Sequence, residues 1–123
     1  MSFGYQVLGF GASGTAAVSA NDNGIFGYGD TGSYTSITNL VTNVGVMGTD
    51  VTGVGTVRTN LDACEYGGDK GIFGYGNTGS VSSLTNLVSN VGVVASDVTG
   101  VGTARKRLAA CQYGDDKGIF SYG

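Results

Sequence analysis

The chain has 123 residues, 24 of them Gly, with no Pro, His or Trp and a net charge of −3. Its 41 % apolar and 12 % charged content excludes the disordered class, which combines low hydrophobicity with high net charge. Six basic residues on a net-acidic chain are too few for a nucleic-acid partner, whose affinity rests on phosphate neutralisation, and no apolar run reaches the roughly 20 residues of a membrane span.

A chain of this length makes one domain with a modest core. Val, Ile, Thr, Tyr and Phe are abundant and strong helix formers are scarce. That composition predicts short strands joined by tight Gly turns, an all-β fold.

In chain order, the N-terminal stretch MSFGYQVLGFGASG lacks the basic region and sustained apolar core of a signal peptide. Export through a standard signal is therefore not expected. Phe3–Phe10 reads as a first strand. From Gly24 the sequence becomes periodic: Gly24–Lys70 aligns with Gly71–Lys117 without a gap, and 14 of 47 positions differ, leaving 33 identical. Gly118–Gly123 (GIFSYG) opens a further copy, and Ala17–Asn23 occupies the positions of Cys64–Lys70. The organisation read from this is one repeat domain, 1–123. It comprises a degenerate part-copy (1–23), a first repeat (24–70), a second repeat (71–117) and a closing strand (118–123). Met1 and the irregular first residues suggest a complete chain rather than an excised piece.

The second repeat divides into four strand-like segments, Gly71–Tyr75, Ser83–Val88, Val93–Val98 and Leu108–Tyr113. GNTGS, SNVG and TGVG separate them, and GDDKG leads into the next copy, with Gly and Asn/Asp supplying the positive φ that such turns need. Four short antiparallel strands at a period of 47 residues predict a β-propeller blade. Alternation places Phe73 and Tyr75 on one face and Ile72 on the other. Phe26, Phe73 and Phe120, with Tyr28, Tyr75 and Tyr122, are the expected core between blades.

The stretches RTNLDACEYGGDKGIFGYG and RKRLAACQYGDDKGIFSYG resemble the kelch blade. In that family an Arg leads a small-residue strand, a polar turn and an apolar strand ending in paired glycines. Here the diglycine is GYG and the family's characteristic Trp is missing. The phrases DKGIFGYG, TNLVSN and VGTAR also resemble repetitive virion- or tail-associated proteins of tailed bacteriophages and marine viruses. That likeness spans nearly the whole chain, and it implies a virion or, after release, an extracellular location.

About three blades cannot close a ring alone, since propellers have about four to eight. An open set would expose an apolar face and a strand edge that invites pairing. The sequence therefore predicts a homo-oligomer in which the closing strand, Ile119, Phe120 and Tyr122, completes a blade using the N-terminal strand of a neighbouring chain. A closed dimer is preferred over a larger ring or a filament built by the same head-to-tail contact.

Cys64 and Cys111 are 47 residues apart, so they occupy equivalent places and are expected as buried thiols rather than a disulfide. Without His or a CxxC pair, zinc has no ligand set. Asp22, Asp69 and Asp116 recur, as do Asp50 and Asp97. A carboxylate ring could hold calcium, but ordinary turn chemistry accounts for these residues better, and no metal or cofactor is expected. Arg58 and Arg105 are candidates to pair with Asp50 and Asp97 or to bind an anion. Tyr66 and Tyr113 are candidates to stack on sugars or to pack between blades. The absence of His rules out Ser–His and Cys–His nucleophiles, and near-identical repeats place no unique acid in a cleft, so an enzyme is not expected. The sequence thus points to a structural or interaction protein whose partner is itself, with other virion proteins as further partners. The alternative is a multivalent lectin-like module for cell-surface glycans.

Overall fold

The computed structural model describes residues 23–123. The expected strand at Phe3–Phe10, and the part-copy before Asn23 with Asp22, lie outside the described residues.

Among the described residues the chain is all-β, without helices. It forms β1 (Gly24–Asp30), β2 (Tyr34–Val41), β3 (Asp62–Tyr66), β4 (Lys70–Gly74), β5 (Thr85–Val88), β6 (Ala110–Tyr113) and β7 (Lys117–Phe120). They pair as three antiparallel sheets: β1–β2, β3–β4–β5 and β6–β7.

Local chemistry explains each turn. After β1, Asp30 Oδ1 accepts the Gly32 N–H at 2.9 Å; between β4 and β5, Asn77 Oδ1 accepts the Gly79 N–H at 3.1 Å. These side chains imitate a backbone turn, and the glycines take φ of +104° and +111°. The β3–β4 and β6–β7 hairpins are the expected pairing of DACEY with KGIFG and of ACQY with KGIF. The repeat boundary at 70/71 runs through β4, so the complete sheet β3–β4–β5 draws on two copies of the repeat.

One expected element changes. Val93–Val98 does not form a ladder; it runs beside β5 through single bridges, Val88↔Val94 and Thr85↔Val98. The first copy does the same at Val41↔Met47 and Thr38↔Val51. The register slips by one residue between the two bridges, and at the slip Asn86 Nδ2 donates to the Ala95 carbonyl at 3.0 Å, and Asn39 Nδ2 to the Gly48 carbonyl at 3.2 Å. Three strands therefore stand where four are expected.

Tyr28 and Tyr75 also depart from simple alternation. Both have φ of +65°, and the β1–β2 register slips between Gly27 and Gly29. The bulge turns the tyrosine out of the pleat. The small core is Tyr28, Phe73, Val88 and Val94, with Ile25 and Leu61 against it. Phe26 is 61 % exposed and Tyr122 is 85 % exposed, so the expected aromatic core holds in the middle of the array and opens at its two outer copies.

Past the bridges the chain crosses close beneath β2 and its counterpart. A methyl at Gly53 would fall on the Ser36 carbonyl, and one at Gly100 on the Ser83 carbonyl. Gly100→Ala should cost about 3 kcal/mol or more, because backbone rather than a side chain would have to move. Gly79→Ala, with open space but φ of +111°, should cost about 1 kcal/mol. Urea midpoints of the two variants check the ranking.

Candidate functional site

Arg58 lies in the chain between the first copy's last bridge and β3, and its side chain is completely buried. Its Nη2 donates to Asn86 Oδ1 at 2.6 Å, and Nη1 stands 3.5 Å from Asp97 Oδ1 and 3.4 Å from the Thr56 carbonyl. The guanidinium carbon lies 4.5 Å from the centre of the Tyr28 ring, a cation–π distance. Nε has no hydrogen-bond partner among the described residues. Asn86 is therefore the close acceptor, and Asp97 is a more distant counter-charge.

The acceptors are held by contacts besides those to the arginine. Asn86, also fully buried, holds Asp97 Oδ1 through Nδ2 at 2.9 Å. The Thr56 hydroxyl donates to Asp97 Oδ2 at 2.6 Å and the Thr56 N–H to the same oxygen at 3.0 Å. Tyr28 Oη donates to the Val54 carbonyl at 2.9 Å, and its ring meets Phe73 edge-on at 5.2 Å. Tyr28, Val54, Thr56 and Arg58 come from the first repeat; Phe73, Asn86 and Asp97 come from the second. The site is a polar clamp between successive copies.

Electrostatics follow from this packing. Burial alone would raise the Asp97 carboxyl, but the Thr56 hydroxyl, the Asn86 amide, the Thr56 N–H and the Arg58 charge together hold it below the usual carboxylate range. Burial pushes the Tyr28 hydroxyl up, against the lowering effect of Arg58.

Further contacts join the copies. Asn77 Nδ2 donates to Tyr34 Oη at 3.1 Å, the Ala110 N–H to Asp62 Oδ2 at 2.7 Å, and the Gly67 N–H to the Asp116 carbonyl at 2.7 Å. A cavity of about 220 Å³ shares Phe73 with the clamp and has a mixed lining, with Ile25, Leu40 and Val88 beside Glu65 and Lys70.

Of the residues singled out from the sequence, Arg58 and Asp97 meet, across the copy boundary. Asp50 is exposed and bonds Asn39 Nδ2 at 2.8 Å, apart from any arginine among the described residues. The Arg105 guanidinium lies 5.2 Å from the Tyr122 ring centre. Tyr66 and Tyr113 end β3 and β6; Tyr66 is half-buried and Tyr113 is exposed. Phe120 packs on Tyr75 at 5.5 Å, and Ile119 is exposed. Asp69 and Asp116 pair with Lys70 and Lys117, their sequence neighbours, at 2.5 Å.

Both thiols are free. Cys64 is half-buried, and burial raises its thiol, but Cys111 is exposed. The expectation of two buried thiols is corrected: among the described residues no copy packs over Cys111 as β7 packs over Cys64. Among them, too, no three His, Cys, Asp or Glu side chains gather as a metal site. Sequence reasoning does not single out Asn86, Thr56 and Tyr28 as partners of Arg58. A signal is present, since Asn39/Asn86 and Thr56/Thr103 are identical in both copies, but nothing local says that a side chain bonds the next copy rather than its own.

No protein-family model, curated protein or solved structure matches the chain.

Two outcomes test the clamp. Arg58→Ala removes the cation and leaves its acceptors buried; it should lower stability by about 3–5 kcal/mol, the range for breaking a buried pair, read from denaturant midpoints. Because Asp97 titrates low in the folded chain, its contribution is complete above the usual carboxylate range. It is lost as pH falls through the depressed folded value. Stability should fall below about pH 4, and Asp97→Asn should be less stable at neutral pH with a shallower acid fall.

Proposed function

We propose that this chain is a non-enzymatic structural protein that works by holding copies of one repeat against each other, and that it assembles with itself. The observation that carries the reading is the Arg58 clamp. The most buried polar chemistry in the described residues joins one copy to the next and is directed at no open cleft.

The outer copies carry the halves of the same clamp in more accessible form, half-buried Asn39 with exposed Asp50 on one side and half-buried Arg105 on the other. Exposed apolar side chains recur in register, Val44 with Val91, Val46 with Val93 and Val54 with Val101. Repeated apolar exposure of this kind suits an association surface. The architecture we propose is a kelch-like propeller ring, closed by two chains, with an open filament as the variant in which the same contact fails to close. Virion or tail association is the setting in which a self-assembling repeat of this wording fits best.

A glycan-binding module is the second reading, favoured by Tyr113 and Tyr122, which are 52 % and 85 % exposed. Against it, Asn86, Asp97 and Tyr28, the recurring groups that would form sugar pockets, are turned into the clamp. A glycan array separates the two readings.

Light scattering coupled to size exclusion tests the assembly. A discrete dimer is the expected outcome for the closed ring, and a species growing with concentration is the outcome for the filament. A folded monomer at every concentration would overturn the proposal.

A further inference from the structure

The self-association just proposed leaves open which surfaces join, and β7 answers it. β4 has a neighbour on each side, β3 and β5. β7 has β6 on one side, and its other edge pairs with no strand among the described residues. The strand that would fill that edge is known from the chain's own sheets. β5 lies on β4 in the register Gly71↔Val88, Ile72↔Leu87, Phe73↔Asn86 and Gly74↔Thr85. β2 lies on β1 in the same way, Gly24↔Val41, Ile25↔Leu40, Phe26↔Asn39 and Gly27↔Thr38. Both partners carry the letters TNLV, and the strands they pair with carry GIFG; β7 runs into GIFS.

We infer, resting on the self-association reading, that β7 of one copy takes the place of β1 on β2 of the next, so that copies join head to tail by strand exchange, and that Ser121 governs how readily they do so. The exchanged sheet, β6–β7 of one copy with β2 of the other, reproduces β3–β4–β5. It also rebuilds the clamp: Arg105 of the first copy comes to Asn39 and Asp50 of the second, as Arg58 comes to Asn86 and Asp97. The acceptor half is already set, since Asn39 holds Asp50 as Asn86 holds Asp97, at 2.8 and 2.9 Å. The donor half is available, since Arg105 makes no ion pair among the described residues and rests on an exposed tyrosine ring. Exchange of like for like is a low-cost route to association, because β2 leaves one ladder and enters an equivalent one.

One residue makes the exchange unequal. GIFGYG in β1 and GIFSYG at the end of the chain differ only at Gly27 against Ser121. A Cβ at Gly27 would stand 2.7 Å from the Thr38 methyl and 3.0 Å from the Phe73 ring, both closer than carbon atoms pack. In the exchanged sheet Ser121 brings that Cβ against Thr38. β2 therefore prefers its own β1, and assembly is held reversible and dependent on concentration.

Sedimentation across a concentration series tests this on the whole chain. Ser121→Gly should tighten association at least tenfold, and Ser121→Val should weaken it by a similar factor. Asp50→Arg and Arg105→Asp should each weaken it, and the double variant D50R/R105D should restore it. The three positions tolerate change without unfolding, being exposed or half-exposed, and circular dichroism checks this. If the wild type assembles but neither Ser121 variant changes its affinity and the charge pair shows no rescue, the strand-exchange contact is wrong while self-association stands. If the wild type and Ser121→Gly both remain monomeric at every concentration, both proposals fall.

Discussion

A guanidinium with no access to water governs this architecture. Removing Arg58 from solvent is costly unless its charge and donors are met, and they are met by Asn86 and Asp97 of the following copy, not by Asn39 and Asp50 of its own. Its own copy supplies the Tyr28 ring and the Thr56 carbonyl; the amide oxygen and the carboxylate come from the following copy. The cation is therefore met when two copies are packed in register. Other features follow from that demand: the left-handed tyrosine that swings its ring beneath the guanidinium, the asparagine that holds the carboxylate, and the loop that brings Thr56 across to it.

Adhesion by a polar clamp also explains why so small an apolar core is sufficient. The cluster around Phe73 excludes water from one side of the junction, while hydrogen bonds from Asn77, Ala110 and Gly67 align the strands on the other. Non-directional burial would tolerate slippage between copies. A bidirectional set of donors and acceptors does not, so the repeat is held to one registration.

Much of the local structure is legible in the sequence because short-range chemistry sets it. DTGS and NTGS announce Asx turns, TNVG and SNVG announce a glycine at positive φ, and the alternating apolar letters of GIFG and DACEY mark a hairpin. The 47-residue period is equally plain. What cannot be read locally is where a polar side chain finds its partner. Asn86 looks like any turn or strand asparagine, yet it bonds backward to Arg58 and sideways to the Ala95 carbonyl of its own copy. Arg58 and Asp97 both stand out in the sequence, but the pairing across copies depends on the stacking of sheets. Burial escapes the sequence for the same reason: Phe26 and Phe73 are the same letter in the same phrase, and among the described residues Phe73 is covered by Tyr28 of the preceding copy while Phe26 is exposed.

The position of the repeat boundary inside β4 has a consequence for how such chains change over generations. A sheet assembled from the end of one copy and the beginning of the next has no seam at which it can be cut. If recombination between near-identical stretches deletes or duplicates 47 residues, the rejoined ends still spell the same hairpin, the same Asx turn and the same arginine facing the same asparagine. Array length can then change by whole copies with the sequence across each junction preserved.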